Sequence, residues 1–166
     1  MFNRRGFSGV SIDEVMSEAG LTRGSFYSYF KTKSDLYAQA VTQIVCDKRE
    51  GINGRRGPIN AGNIVRDYLS VQHFEDIDGS CPMIGLPADI SRTSASVRKA
   101  FEAALSLMIE VIEDDMAPGG QRGRKTALAV AALCVGGMVL ARSVEDRAFA
   151  DELRGAALST ALALIT

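Results

Sequence analysis

Tryptophan is absent from this 166-residue chain, histidine occurs once, and there are only three cysteines and four prolines. Aromatics make up 7% of the chain, too few for the sheet-on-sheet core of a β-sandwich and better suited to helices. The cysteines, Cys46, Cys81 and Cys134, are scattered and odd in number. No disulfide framework or CxxC site follows from them, and they read as small hydrophobes in a reducing cytoplasm. The opening residues, Met1 to Gly6, hold no apolar core of signal-peptide length. The longest apolar run, Ala127–Ala141, has fifteen residues. A membrane span needs about 18 or more, so this run reads as a buried helix and no membrane partner is expected.

Catalytic groupings are equally scarce. Cys81 and His73 are the only cysteine and histidine near each other in sequence, and no third group is placed to orient them. Gly119-Gly120 lacks the Gly-Lys-Ser/Thr that completes a phosphate loop. Glu113-Asp114-Asp115 reads as a solvent-facing acidic cluster at a helix end. The expectation is a protein that is not an enzyme and takes no metal or cofactor. Cys81 keeps a redox-sensing alternative open.

A chain of this length can bury roughly 68–70% of its unfolded surface without staples, and 46% hydrophobic residues against 23% charged suit a globular protein. The net charge of −1 is unevenly distributed. Residues 1–66 hold ten Lys/Arg against six Asp/Glu, giving +4; residues 67–166 hold nine against fourteen, giving −5. A basic front on an acidic back suits a polyanion met by the front alone.

Breakers and periodicity predict an all-α chain. Helices are expected over Ser11–Ala19, Thr22–Phe30, Lys33 to near Glu50, Asn60–Phe74, Pro82–Arg92 with Pro87 bending it, Ser94–Met116, Arg122–Ser143 and Asp146–Leu164. The loop Gly51–Pro58 is the natural joint between a front unit, 1–50, and a back unit, 51–166. Three helix starts are written out. Ser11 with Glu14 and Thr32 with Asp35 have capping-box spacing, and Thr22 caps the helix between them. Val10 with Val15 and Leu21 with Phe26 are candidate staples.

Ala19-Gly20-Leu21-Thr22 joins two short helices through a glycine-bearing turn, the geometry of a helix-turn-helix. Phe26 and Phe30 share one face of the second helix and should pack inward. Arg23, Ser25, Tyr27, Ser28 and Tyr29 remain outside, hydrogen-bonding groups without an acid among them, as a DNA groove favours. Lys31 and Lys33 follow where the phosphate backbone would pass. A plain αα-hairpin with a polar outer face is the alternative.

Gly6-Phe7, Ser11-Ile12-Asp13-Glu14-Val15 and the run from Ala19 to Leu36, with its Gly-x-Phe-Tyr-x-Tyr-Phe-x-x-Lys stretch, closely resemble the DNA-binding region of the tetracycline-repressor-like (TetR) family. The resemblance covers about residues 1–45. It implies a dimeric regulator with an amino-terminal helix-turn-helix and a larger helical domain for ligand binding and dimerisation. It places DNA contacts on Ser11, Thr22, Arg23, Ser25, Tyr27, Ser28, Tyr29 and Lys33, with Tyr27 and Lys33 holding phosphates. Family members begin with a further supporting helix, of which this chain starts at what resembles the last turn. The expectation is a loosened DNA-binding unit, or a start codon assigned too far downstream.

In the back unit, Ala129, Ala132, Gly136 and Gly137 on one helix and Leu153, Ala157 and Ala161 on the last are small or apolar at helical spacing. They are expected to form a twofold dimer interface, the alternative being the core of a monomer. Tyr68, His73, Phe74, Met83, Ile84, Phe101, Met108 and Met138 are candidates for the wall of a ligand pocket. The function expected is a cytoplasmic repressor that binds a palindromic operator as a homodimer and is released by a small apolar or amphipathic effector. The alternative is a truncated dimeric remnant that acts as an interaction or titrating module.

Overall fold

The computed structural model describes residues 1–53, 60–79, 81–85, 90–116 and 121–165, and among these the regular structure is entirely helical. The helices are α1 (Phe2–Arg5), α2 (Ile12–Glu18), α3 (Arg23–Tyr29), α4 (Lys33–Asn53), α5 (Ala61–Tyr68), α6 (Val71–Glu75), α7 (Pro82–Gly85), α8 (Ala95–Asp115), α9 (Gln121–Arg142) and α10 (Arg147–Ile165).

The capping signals form as the sequence implies. Glu14 N–H donates to Ser11 Oγ at 3.2 Å while Ser11 N–H donates back to a Glu14 carboxylate oxygen at 2.8 Å. Thr22 accepts from Ser25 N–H, and Thr32 and Asp35 exchange the same reciprocal pair. Gly20 closes α2 with φ 68°. Leu21 N–H reaches Met16 O at 2.8 Å and Gly20 N–H reaches Ser17 O at 3.0 Å, the paired bonds of a left-handed helix stop. No side chain crowds that position, so backbone conformation alone demands the glycine.

Three expectations change. The Asn60–Phe74 segment is two helices, because Ser70 adopts extended backbone and caps a new one by accepting from His73 N–H at 3.0 Å. The α4 helix runs on through Gly51-Ile52-Asn53, so the expected joint begins later; its remainder, 54–58, lies outside the described residues, as do Pro87 and Gly119-Gly120. The Ala127–Ala141 run is not buried all round. Ala127, Val130, Ala131, Cys134, Met138 and Ala141 face inward, whereas Leu128 and Leu140 are about half exposed. By length and composition Gly123–Arg142 would pass for a membrane span. Here it packs against α8 on one side and α10 on the other.

Two apolar clusters organise the body. The larger joins α5, α7, α8, α9 and α10 around Val65, Leu69, Ile112, Val130, Cys134 and Met138. The smaller lies where α4 crosses α8, with Tyr37, Val41, Ile90, Val97 and Ala100 at its centre and Phe2 and Phe7 packed against it. The rings of Phe2 and Phe7 meet Tyr37 edge-on at 4.9 and 5.5 Å. Through these contacts the front helices are mounted on the larger body.

Candidate functional site

The α2–turn–α3 unit is held by Val10, Met16 and Phe26, all buried. Phe26, fully enclosed, turns one face of α3 inward and stacks near Phe30 at 5.5 Å. The opposite face is open: Arg23, Tyr27, Ser28 and Tyr29 are exposed, Tyr29 at 77%, and Ser25 is half-buried. A tyrosine that exposed has little packing to lose and a hydroxyl free to meet a polar partner.

Arg23 pairs with Asp13 at 2.6 Å, and its guanidinium is held above its ordinary pKa by hydrogen bonding to Tyr27 and by the Asp13 charge. Both partners of the ion pair are well exposed. Such a bridge is screened by water on both sides, so exchanging Asp13 for a phosphate costs little. Ser11 and Thr22 serve first as caps; they sit at the amino ends of α2 and α3, where free N–H groups favour an anion.

Lys33, expected to hold a phosphate, is engaged within the chain. Its ammonium donates to the carbonyls of Phe7 and Val10, both at 2.8 Å, and lies 4.4 Å from the centre of the Phe7 ring. It ties the start of α4 to the segment before α2. Lys31, nearby, is exposed.

A cavity of about 470 Å3 opens between α4, α5, α6, α7 and α8. Of the eight residues expected to line it, Tyr68, His73, Met83 and Met108 do. Phe74 instead lies under the guanidinium groups of Arg147 and Arg154 at 4.7 and 5.3 Å. Ile84 and Met138 are buried in the large core, and Phe101 packs between the two clusters. Sequence reasoning missed the α4 wall, Val41, Ile44, Val45 and Lys48, although its i, i+3, i+4, i+7 spacing is that of one helix face.

The polar groups of the cavity wall are few. The Tyr68 hydroxyl is buried and makes no hydrogen bond of ordinary geometry among the described residues. Its neighbour is the Cys81 thiol, and burial raises the pKa of both groups. The half-buried His73 meets the Tyr68 ring edge-on at 4.9 Å, with Nδ1 at 2.8 Å from the Tyr68 carbonyl oxygen. A carbonyl only accepts, so Nδ1 carries the proton and Nε2 is left as an acceptor. Burial lowers the His73 pKa, favouring the neutral ring. Among the described residues no three His, Cys, Asp or Glu side chains converge as metal ligands.

The region between cavity and front unit is cross-tied. Arg142 donates to the carbonyls of His73, Phe74 and Asp76 at the end of α6. Arg154, buried, donates to Leu69 O at 2.6 Å. Beyond α6, Asp78 accepts two bonds from the Arg4 guanidinium, both at 2.5 Å, and its carbonyl accepts from Asn3.

The expected dimer residues separate into two groups. Ala129 and Ala132 are exposed on α9, and Gly136 is half-exposed with open space beside it. Gly137, Ala157 and Ala161 instead form the chain's own α9–α10 contact, where a Cβ on Gly137 would stand 2.5 Å from that of Ala157. Leu153 is half-buried, with its carbonyl facing Gly137. The outward apolar surface is carried by Leu128, Leu140, Phe149 and Leu164, each 43–56% exposed.

Comparison with known proteins places this geometry. Residues 1–40 match the family described as bacterial regulatory proteins, tetR family. An uncharacterized HTH-type transcriptional regulator of Haemophilus influenzae is 29% identical over 113 residues, 68% of this chain and 54% of that protein. The HTH-type transcriptional regulator AcrR of Shigella flexneri is 44% identical over 39 residues, 24% of this chain and 18% of that one. The matched stretch therefore spans about half, or less, of these relatives. The crystal structure of the reduced form of E. coli NemR shares the fold, with a TM-score of 0.75 at 20% identity over 96% of this chain and 88% of that chain.

Proposed function

We propose that this chain, whose residues 1–40 match the tetR family of bacterial regulatory proteins, is a cytoplasmic transcriptional repressor of that family and not a catalyst. It binds a palindromic operator as a homodimer and releases it when a small molecule enters the cavity. The observation that carries this reading is α3. Phe26 is buried and Arg23, Tyr27, Ser28 and Tyr29 are exposed on a helix fixed by caps and a tight turn. That helix is presented with its hydrogen-bonding face outward, as major-groove reading requires.

The dimer forms through the outer faces of α9 and α10, using Ala129, Ala132, Gly136 and the exposed leucines, while Gly137, Leu153, Ala157 and Ala161 brace the helix pair from within. Two copies would present their α3 helices to half-sites about 34–36 Å apart. Tyr68, His73, Met83 and Met108, with the α4 wall, receive the effector. A mobility shift on the DNA flanking the gene, with size-exclusion chromatography, tests the proposal. A dimer that retards this DNA and loses it on Tyr29→Ala is expected. A folded dimer that retards none overturns the regulator reading and leaves an interaction module.

A further inference from the structure

We propose that Asp13 is a specificity-determining residue for DNA: it buttresses Arg23 on a guanine edge in the major groove and disfavours any sequence that draws the arginine away to a phosphate. This rests on the proposed groove-reading role of α3 and names the positioning residue behind it. Arg23 is the first residue of α3, the end that meets base edges, and Asp13 stands in the first turn of α2. Their ion pair, Arg23 Nη1 to an Asp13 carboxylate oxygen at 2.6 Å, therefore spans the turn between the two helices. Tyr27, one helical turn along α3, hydrogen-bonds the same guanidinium. A guanidinium carries five N–H donors, and two such partners leave enough of the fork for the O6 and N7 acceptors of guanine. A side chain already held in place also loses less rotamer freedom on binding.

Asp13 decides what Arg23 gains. Its side chain is 57% exposed and would enter a groove walled by phosphates. On guanine, Arg23 keeps its hold on Asp13, and the carboxylate arrives neutralised. On another base the fork finds no matching pair of acceptors and turns to a phosphate. Arg23 itself loses little in that exchange, but Asp13 is then a bare anion beside the phosphates, with less water to screen it. The pair thus favours one base and disfavours the rest, which a phosphate contact alone does not do. Asp13 also suits the amino-terminal turn of α2, where the helix dipole favours a carboxylate. That contribution would show in melting, not in the choice of base. The other acids of α2 are placed differently: Glu14 is committed to the Ser11 cap and to Arg5, and Glu18 is exposed at the far end of the helix.

The test selects bound duplexes from a random-sequence pool with the full chain, then titrates wild type, Asp13→Asn, Glu18→Gln and Arg23→Ala against the selected duplex, its single-base variants and the unselected pool. Wild type should prefer guanine by about tenfold at the base pair that Arg23→Ala relaxes. Asp13→Asn removes the charge and keeps the shape. It should cut that preference to about threefold or less and bind the unselected pool about threefold more tightly, with a salt slope steeper by about one. Glu18→Gln removes an equal charge from α2 and should leave the base preference unchanged. A preference that survives Asp13→Asn, or that falls equally in Glu18→Gln, overturns the inference, while the selected sequence itself upholds the regulator reading. Wild type that selects no sequence overturns the regulator reading and this inference with it.

Discussion

Glu14 joins the capping box of α2 to the residues before it. Its carboxylate accepts from the Ser11 backbone and meets Arg5 at 2.7 Å. These interactions, the Ser11 backbone bond first, lower its pKa from 4.5 to about 2. The sign follows from proton counting. Between those values the unfolded chain binds more protons than the folded one, so the Glu14 contribution is complete above about pH 4.5 and disappears as the pH falls through about 2. Thermal melts of wild type and Glu14→Gln should therefore differ by a constant amount from pH 7 to about pH 5 and converge below it. A difference that persists unchanged at pH 3 would show that the carboxylate's charge contributes nothing.

At the scale of the element, α3 and the start of α4 look alike in charge but do different work. Arg23 stands on an open face with only exposed partners, Asp13 and Tyr27. Arg23→Ala should weaken operator binding by about 1–3 kcal/mol and relax the preference at one base position, read by titration against a set of operator variants, with melting temperature little changed. Lys33 is the converse, since two of its three N–H donors are engaged with carbonyls. Lys33→Gln should destabilise the fold by about 2 kcal/mol and leave the salt dependence of DNA binding unchanged. A slope reduced by about one would instead mark Lys33 as a phosphate ligand.

That contrast also marks how far the sequence could be read. The caps at Ser11, Thr22 and Thr32 are local rules, each complete within four residues, and all three formed. Gly20 and Phe26 were legible for the same reason. Lys33 was not, because its partners, Phe7 and Val10, are set by how α4 docks on the front segment rather than by spacing along a helix. The cavity fared likewise. Tyr68 and Met108 could be chosen by residue type, but Phe74 was removed from it by Arg147 and Arg154, more than 70 residues away in sequence. On α9 the apolar run concealed two faces, since alanine and glycine suit an internal helix contact and an external one equally.

For the molecule as a whole, the outer stripe of α9 and α10 carries the largest consequence. Leu140 is 56% exposed; a charge there should leave the single chain folded but oppose a symmetric contact, which brings each residue near its own copy. Leu140→Glu should move the protein from dimer to monomer in sedimentation, with helical content and melting temperature of the monomer preserved. An unchanged dimer would place the interface elsewhere.

Asp78 and Gly79 are adjacent, yet one grips Arg4 of the front unit and the other borders the cavity. A molecule seated against Gly79 thus presses on a joint one residue away, where Asp78 holds α1 of the front unit through an ion pair open to water, 62% and 59% exposed. Exposed pairs loosen as counter-ions accumulate. Communication between effector and operator should then fade with ionic strength faster than effector affinity does. Asp78→Asn should show at low salt the weakened release expected of the wild type in concentrated salt.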